Sequence, residues 1–294
     1  MSPLVSGTNK VHLVDSRTGE RLTELLHDQM THSAAVIGET ELLLVQIGQN
    51  LKPEISITSV ESGVQYRFAC KEHLSLSSLY DRDIFFGKIV LIPGKNQALI
   101  SGVSDRYDIK GFLIFADWSK GIEKGKLLKI VKETDEAPYD VVATKNLIYV
   151  ATGRRSSIAI FSLSKGKYMR GLEAPGIDIF KPMRVVASGS RIVAASYNQL
   201  FWWNDGIFAK KEDVSGSHDT INGLADLPNG DIVCALTYSN QLLLKSSLEG
   251  PFTPIALPQP LEHPCWVVAD PHMDGRIYVT GHANGSITAV DMYG

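Results

Sequence analysis

The sequence predicts an all-β fold: a single β-propeller of seven blades, each of up to four antiparallel strands. Three observations lead there. Helical periodicity is nearly absent. Short runs rich in Val, Ile, Leu, Phe and Tyr alternate with turns of Gly, Asn, Asp or Ser, which is the pattern of a sandwich, barrel or propeller. One strand-to-turn unit also recurs along the whole chain.

That unit reads VHLVDSRTG (11–19), ISITSVESG (55–63), LIFADWSKG (113–121), IAIFSLSKG (158–166), FWWNDG (201–206), LLLKSSLEG (242–250) and ITAVDMYG (287–294). The residues ending its strands are Asp15, Ser59, Asp117, Ser162, Asn204, Ser246 and Asp291, at intervals of 44, 58, 45, 42, 42 and 45. Asp, Asn or Ser suits that position because its side chain can hydrogen-bond the backbone of the turn that follows. A mean period of 46 holds four short strands and their loops, which is one blade. The fourth unit shows all four strands: YDVVAT (139–144), LIYVAT (147–152), SIAIFSL (157–163) and KYMRGL (167–172). The last unit shows three: WVVAD (266–270), RIYVTG (276–281) and SITAVD (286–291).

Phrases such as IYVATG and GRIYVTGHANGSITAVD resemble the repeats of YVTN-type and WD40-like seven-bladed propellers. INGLADLPNGDIVCAL (221–236) is similar to an NHL- or gluconolactonase-type repeat. Each resemblance covers one blade and implies a fold, because propeller repeats look alike across unrelated activities. At the ends, the first blade is expected to start at its second strand (PLVSG, 3–7) and the last to stop after its third. A six-bladed ring in which the two chain ends share one blade is the alternative. The long interval of 58 marks an insertion at 71–87, and residues 1–294 are expected to form a single domain.

Composition narrows the function classes. With 294 residues, 44% hydrophobic and 21% charged, the chain is globular and long enough for a sizeable core. A formal charge of −3 argues against nucleic acid as the main partner. No secretory leader or membrane-length apolar run is visible, so the expected location is cytoplasmic. Cys70, Cys234 and Cys265 are odd in number and lie in apolar stretches, which reads as buried thiols. No phosphate loop, nucleophile elbow, HExxH or EF-hand motif occurs, and no metal or cofactor is expected. The lysines at 120, 124, 126, 129 and 132 read as a solvated outer-strand face.

Strand phase sorts the loops onto two ends of the blades. His27, His32, His73, His218, His263 and His282 fall on one end, the top, and Tyr80, Tyr107, Tyr139, Tyr197 and Tyr238 lie in or beside the same loops. Trp118 and Tyr293 fall on the other end. The candidate binding residues are therefore Arg106, Tyr107, Arg154, Arg155, Tyr197, His218, Tyr238, Trp266 and His282, around the mouth of the central channel. His218-Asp219 can be read either as a hydrogen-bonded tie between blades or as a catalytic pair. Trp266, Val267, Ile277, Val279 and Ile287 are expected to pack between blades.

Two functions fit. One is a non-enzymatic scaffold binding a protein or peptide, since Tyr, Trp and Arg are the usual interface anchors. The other is a lactonase- or lyase-like propeller enzyme with His and acid residues at the channel mouth. The Glu, Asn and Asp metal ligands of gluconolactonase-like enzymes have no matching positions here, so the reading leans towards the scaffold.

Overall fold

The computed structural model describes residues 2–5, 10–14, 18, 20–26, 30–38, 40–47, 53–68, 84–104, 110–134, 138–152, 157–177, 180–214, 216, 218–246, 248–257, 260–270, 274–281 and 287–293. Among the described residues, apart from one 3-10 turn at Ile122–Lys124, the regular structure is strand. The first sheet joins β1 (Ser2–Val5), β2 (Lys10–Val14) and β3 (Arg21–Leu26), and the second joins β4 (Met30–Val36), β5 (Glu41–Ile47), β6 (Pro53–Ser59) and β7 (Gln65–Arg67). The third holds β8 (Ile84–Leu91), β9 (Gln97–Ser104), β10 (Lys110–Asp117) and β11 (Lys126–Thr134). The fourth holds β12 (Asp140–Ala143), β13 (Leu147–Ala151), β14 (Ser157–Ser162) and β15 (Tyr168–Glu173). The fifth is β16 (Arg184–Ser188), β17 (Arg191–Ser196), β18 (Gln199–Asn204) and β19 (Ile207–Asp213). The sixth is β20 (Ile221–Asp226), β21 (Ile232–Leu236), β22 (Gln241–Lys245) and β23 (Phe252–Pro254), and the last is β24 (Pro264–Ala269), β25 (Arg276–Gly281) and β26 (Ile287–Asp291). In every sheet the strands lie in sequence order, the meander that short hairpin turns produce.

Seven complete blades are not formed. Among the described residues five sheets have four strands, and the sheets at the two chain ends have three each. The expected seven blades are therefore corrected to six, the alternative count. The expected strands of the fourth unit are present within one residue at each start, and RIYVTG is β25 without change. The insertion is shorter than expected at its C-terminal side, because Ile84 already begins β8; residues 71–83 lie outside the described ones.

The repeat is visible in the hydrogen bonds as well as in the letters. At five of the seven strand-ending positions the following residue donates its N–H to the turn before the second strand: Val60 to Thr40, Trp118 to Asn96, Leu163 to Asn146, Asp205 to Ser190 and Met292 to Gly275, at 2.7–3.0 Å. Side-chain capping of the following turn is present at Ser59 (from Ser62 N–H, 3.4 Å), Asp117 (Ser119 N–H, 3.2 Å) and Ser162 (Lys165 N–H, 3.3 Å). Asp291 departs from that role and holds Arg276 at 2.5 and 2.6 Å. Asp15 lies outside the described residues.

The chain divides into two compact units, 1–147 with 162–167, and 148–161 with 168–294. In the first, Leu43, Val45, Ile55 and Ile57 of the second sheet pack with Ala98, Ile100, Phe112 and Ile114 of the third. Trp118 joins this core, its ring 6.4 Å from that of Phe68. It lies in the loop after β10, as its place at the other end of the blade requires, but its side chain is buried in the core. In the second unit, Val267, Ile277, Val279 and Val290 of the last sheet pack on Val233, Ala235 and Leu242 of the sixth. Gly223 permits that approach: a Cβ there would lie 2.9 Å from both Ala235 Cβ and Val267 Cγ2. Lys245 is wholly buried in this unit, with its ammonium 2.5 Å from Glu212 Oε1 and 4.6 Å from the centre of the Phe252 ring. The charge is tolerated there because carboxylate, carbonyl and ring face surround it.

Candidate functional site

Of the nine candidate residues, Tyr197, His218, Tyr238 and Trp266 are described, and all four belong to the second unit. Arg106, Tyr107, Arg154, Arg155 and His282 lie outside the described residues. The four are brought to one end of the fifth, sixth and seventh sheets by a chain of hydrogen bonds.

Tyr197 sits in the two-residue turn between β17 and β18, closed by the Ser196–Gln199 pair. Its φ is 53°, a left-handed conformation rare for a bulky residue. Its carbonyl accepts the Ile221 N–H at 2.8 Å, while Asn198 accepts the Val214 N–H at 2.9 Å, so the turn is held against the segment leading into β20. The phenol is 44% exposed.

Tyr238 lies in the β21–β22 turn, and Asp219 organises it. The buried Asp219 carboxylate accepts the N–H groups of Thr220 at 2.8 Å, Tyr238 at 3.0 Å and Ser239 at 3.3 Å. Three backbone donors on one carboxylate fix the turn and leave Tyr238 65% exposed. The expected tie between blades is not what Asp219 makes: its bonds stay within the sixth sheet and its lead-in, where it serves the backbone, and His218 is exposed beside it. Asn240 extends the tie to the next element, its Oδ1 accepting the His263 N–H at 2.8 Å.

Trp266 follows a β-bulge. Pro264 pairs with Gly281 and Trp266 with Thr280, leaving Cys265 as the extra residue. The same device leaves Asn222 over near the start of β20. Bulges re-aim side chains at strand ends, and here they turn the inner strands' first residues towards one another. Asn222 Nδ2 donates to Thr237 Oγ1 at 2.7 Å, and Thr237 Oγ1 donates to the Pro264 carbonyl at 3.0 Å. From the fifth sheet, Arg184 Nε donates to the Asn222 carbonyl at 2.6 Å. Its guanidinium carbon lies 4.2 Å above the Trp266 ring. Trp266 was expected between blades. It is instead 41% exposed, whereas its neighbour Val267 is buried and packs as expected with Ile277 and Val279. Burial pushes the Cys265 thiol above its ordinary range, with the Arg184 charge opposing.

The rim thus offers two phenols, an indole and an imidazole, with its carboxylate committed to backbone. Among the described residues no group of three or more His, Cys, Asp or Glu is arranged to hold a metal ion. Sequence reasoning missed Arg184, Asn222 and Thr237, the residues that join the three sheets. No local pattern marks them, since each acts through a residue roughly 15 to 80 positions away. Asp219 was singled out, but its partners were not.

No protein-family model and no curated protein matches the chain. Solved structures do match in fold. The β-propeller domain of Myceliophthora thermophila Cps50 (Swd1) aligns with a TM-score of 0.67 at 11% identity, over 98% of this chain and 91% of that one. A chain of a mitotic checkpoint complex aligns with a TM-score of 0.70 at 10% identity, over 100% of this chain and 87% of that one. The extracellular domain of a one-component system from B. thetaiotaomicron aligns with a TM-score of 0.60 at 13% identity, over 98% of this chain and 37% of that one. Such identities speak to fold alone. The chain has a β-propeller fold.

Proposed function

We propose that this protein is a non-enzymatic propeller scaffold that binds a protein or peptide through the rim carrying Tyr197, His218, Tyr238 and Trp266. The observation that carries the reading is the exposure of three aromatic side chains on one rigid, hydrogen-bonded end of three successive sheets. Rigid aromatics with a polar tip supply contact area at low entropic cost and directed hydrogen bonds. Asp219, the acid that an enzyme would need beside His218, is occupied by three N–H donors, and this weighs against a lactonase- or lyase-like reaction. The proposal extends the rim to Arg106, Tyr107, Arg154, Arg155 and His282. It takes the protein to act in the cytoplasm, with proteins rather than nucleic acid as partners, in keeping with the formal charge of −3. One of the similar structures is described as a mitotic checkpoint complex, a setting in keeping with a protein partner.

The test is selection of a displayed peptide library on the whole protein. The selected peptides are expected to bind the Tyr197→Ala/Tyr238→Ala variant at least about 30-fold more weakly, roughly 2 kcal/mol. Equal affinity for both proteins would overturn the reading.

A further inference from the structure

Positive charge is gathered at one end of the third and fourth sheets, the end where the first strand turns into the second and the third into the fourth. The turns and strand ends of the third sheet there carry Lys95, Lys120, Lys124 and Lys126, and those of the fourth carry Lys145, Lys165 and Lys167. All are exposed except Lys126, which is half-buried. The same segments hold two carboxylates, Asp117 and Glu123, which lie 3.9 Å from Lys126 and 3.8 Å from Lys124. Seven lysines against two carboxylates give this end +5 in a chain whose total is −3, so the remainder carries −8. The matching turns of the second sheet hold Glu61 and are flanked by Glu41, which confines the positive charge to two sheets.

The lysines are mounted on fixed backbone. Lys88 Nζ on β8 meets Asp140 Oδ1 on β12 at 2.9 Å, and each residue stands three before the end of its strand, which sets the first turns of the two sheets level. In the third sheet the Trp118 N–H donates to the Asn96 carbonyl at 2.9 Å and ties the Lys95 turn to the loop of Lys120 and Lys124. Trp118 and Ile122 anchor that loop in the core. In the fourth sheet the Leu163 N–H donates to the Asn146 carbonyl at 2.9 Å, tying Lys145 to the Ser162-capped turn of Lys165 and Lys167. Backbone that is already fixed loses little freedom on binding, and the fields of neighbouring ammonium groups add.

The surroundings select the counter-charge. The large apolar residues of these turns, Trp118, Ile122 and Leu163, pack inward, so none is offered to a lipid interface. The cations are all lysine, point charges without the planar fork that grips phosphate bidentately. Screening limits each attraction to about 8 Å at physiological salt, so a long nucleic acid or a membrane extends past the lysines to flanking carboxylates such as Glu61. A short run of carboxylates meets the lysines alone.

We propose that the lysine-bearing end of the third and fourth sheets binds an acidic segment of a partner protein. None of these lysines belongs to the rim, so failure here leaves the rim reading untouched. The probe is a fluorescein-labelled peptide of ten alternating Asp and Glu residues, added to the whole protein at about 50 mM salt. Saturable binding is expected, weakened at least about tenfold at about 200 mM salt. Lys120→Gln/Lys165→Gln, one lysine from each sheet, should bind at least about fivefold more weakly, while Lys181→Gln/Lys211→Gln, two exposed lysines elsewhere, should stay within about twofold of the unaltered protein. No binding at the lower salt overturns the proposal, as does equal loss in the two variants. Tighter binding of phosphatidylserine vesicles or of a single-stranded RNA, lost in Lys120→Gln/Lys165→Gln, also overturns it, by assigning the lysines to a lipid surface or to nucleic acid.

Discussion

Arg184 holds Trp266 across two sheet boundaries: the guanidinium sits 4.2 Å above one face of the indole while donating to the Asn222 carbonyl of the intervening sheet. Trp266 nevertheless stays partly exposed. A cation–π pair at such a half-buried site contributes on the order of 0.5–2 kcal/mol. Arg184→Met should therefore lower the unfolding free energy by about 1–3 kcal/mol, mostly by leaving buried carbonyls without donors. Trp266→Phe should cost less. A larger loss for Trp266→Phe than for Arg184→Met, in chemical denaturation, would show that the ring and not the arginine holds the three sheets.

Tyr197 should be dispensable for folding. Its positive φ costs roughly 1 kcal/mol or more for a bulky residue, and Asn tolerates that conformation more readily. Tyr197→Asn is expected to keep or raise the melting temperature while weakening binding of rim-selected peptides. A melting temperature several degrees lower would mean that the phenol packs as a structural element.

Asp219 should be needed for both. Asp219→Ala leaves the N–H groups of Tyr238 and Ser239 without their acceptor, a loss of about 1–3 kcal/mol. Amide exchange should accelerate at residues 237–240 before it does elsewhere. Unchanged exchange in that turn would contradict the tie.

Trp118 and Lys124 lie six positions apart and should behave oppositely. Trp118→Ala removes a ring buried among Ile100, Phe112 and Leu127, for an expected loss of about 3–5 kcal/mol. Lys124 is exposed, and Lys124→Ala should change the denaturation midpoint by little. Similar midpoints for the two variants would place Trp118 at the surface.

Acid should act through Asp117. Burial pulls its carboxyl upward, but the Ser119 hydroxyl and N–H, the Gln97 amide and the Lys126 charge outweigh burial and hold it below the ordinary carboxylate range. A carboxyl whose folded value is depressed contributes stability above its unfolded value, about 3.9, and loses it as pH falls through the folded value. Urea titrations from pH 5 to pH 2 should show stability falling, with a shallower fall in Asp117→Asn. Asp291, depressed by its hydrogen bond to Arg276, adds to the same window. An identical slope in wild type and Asp117→Asn would remove Asp117 from the acid response.

The sequence by itself determined the strands and their phase. A strand's two-residue alternation and its turn chemistry are local, so IYVAT, IAIFS and RIYVT could be placed almost to the residue, and Asp117 and Ser162 cap their turns as their type suggests. What only the tertiary structure decided is which alternating face has a neighbour. Val267 and Trp266 are adjacent on β24 and equally apolar, yet one meets Ala235 of the preceding sheet and the other is left partly open. Trp118 looked like a loop tryptophan until Phe68, fifty residues earlier in the chain, came to lie against it. The same holds for the chain ends: a repeat can be counted in letters, but completion of its sheet depends on a fourth strand, and hydrogen bonds between strands are not encoded in the spacing of either one.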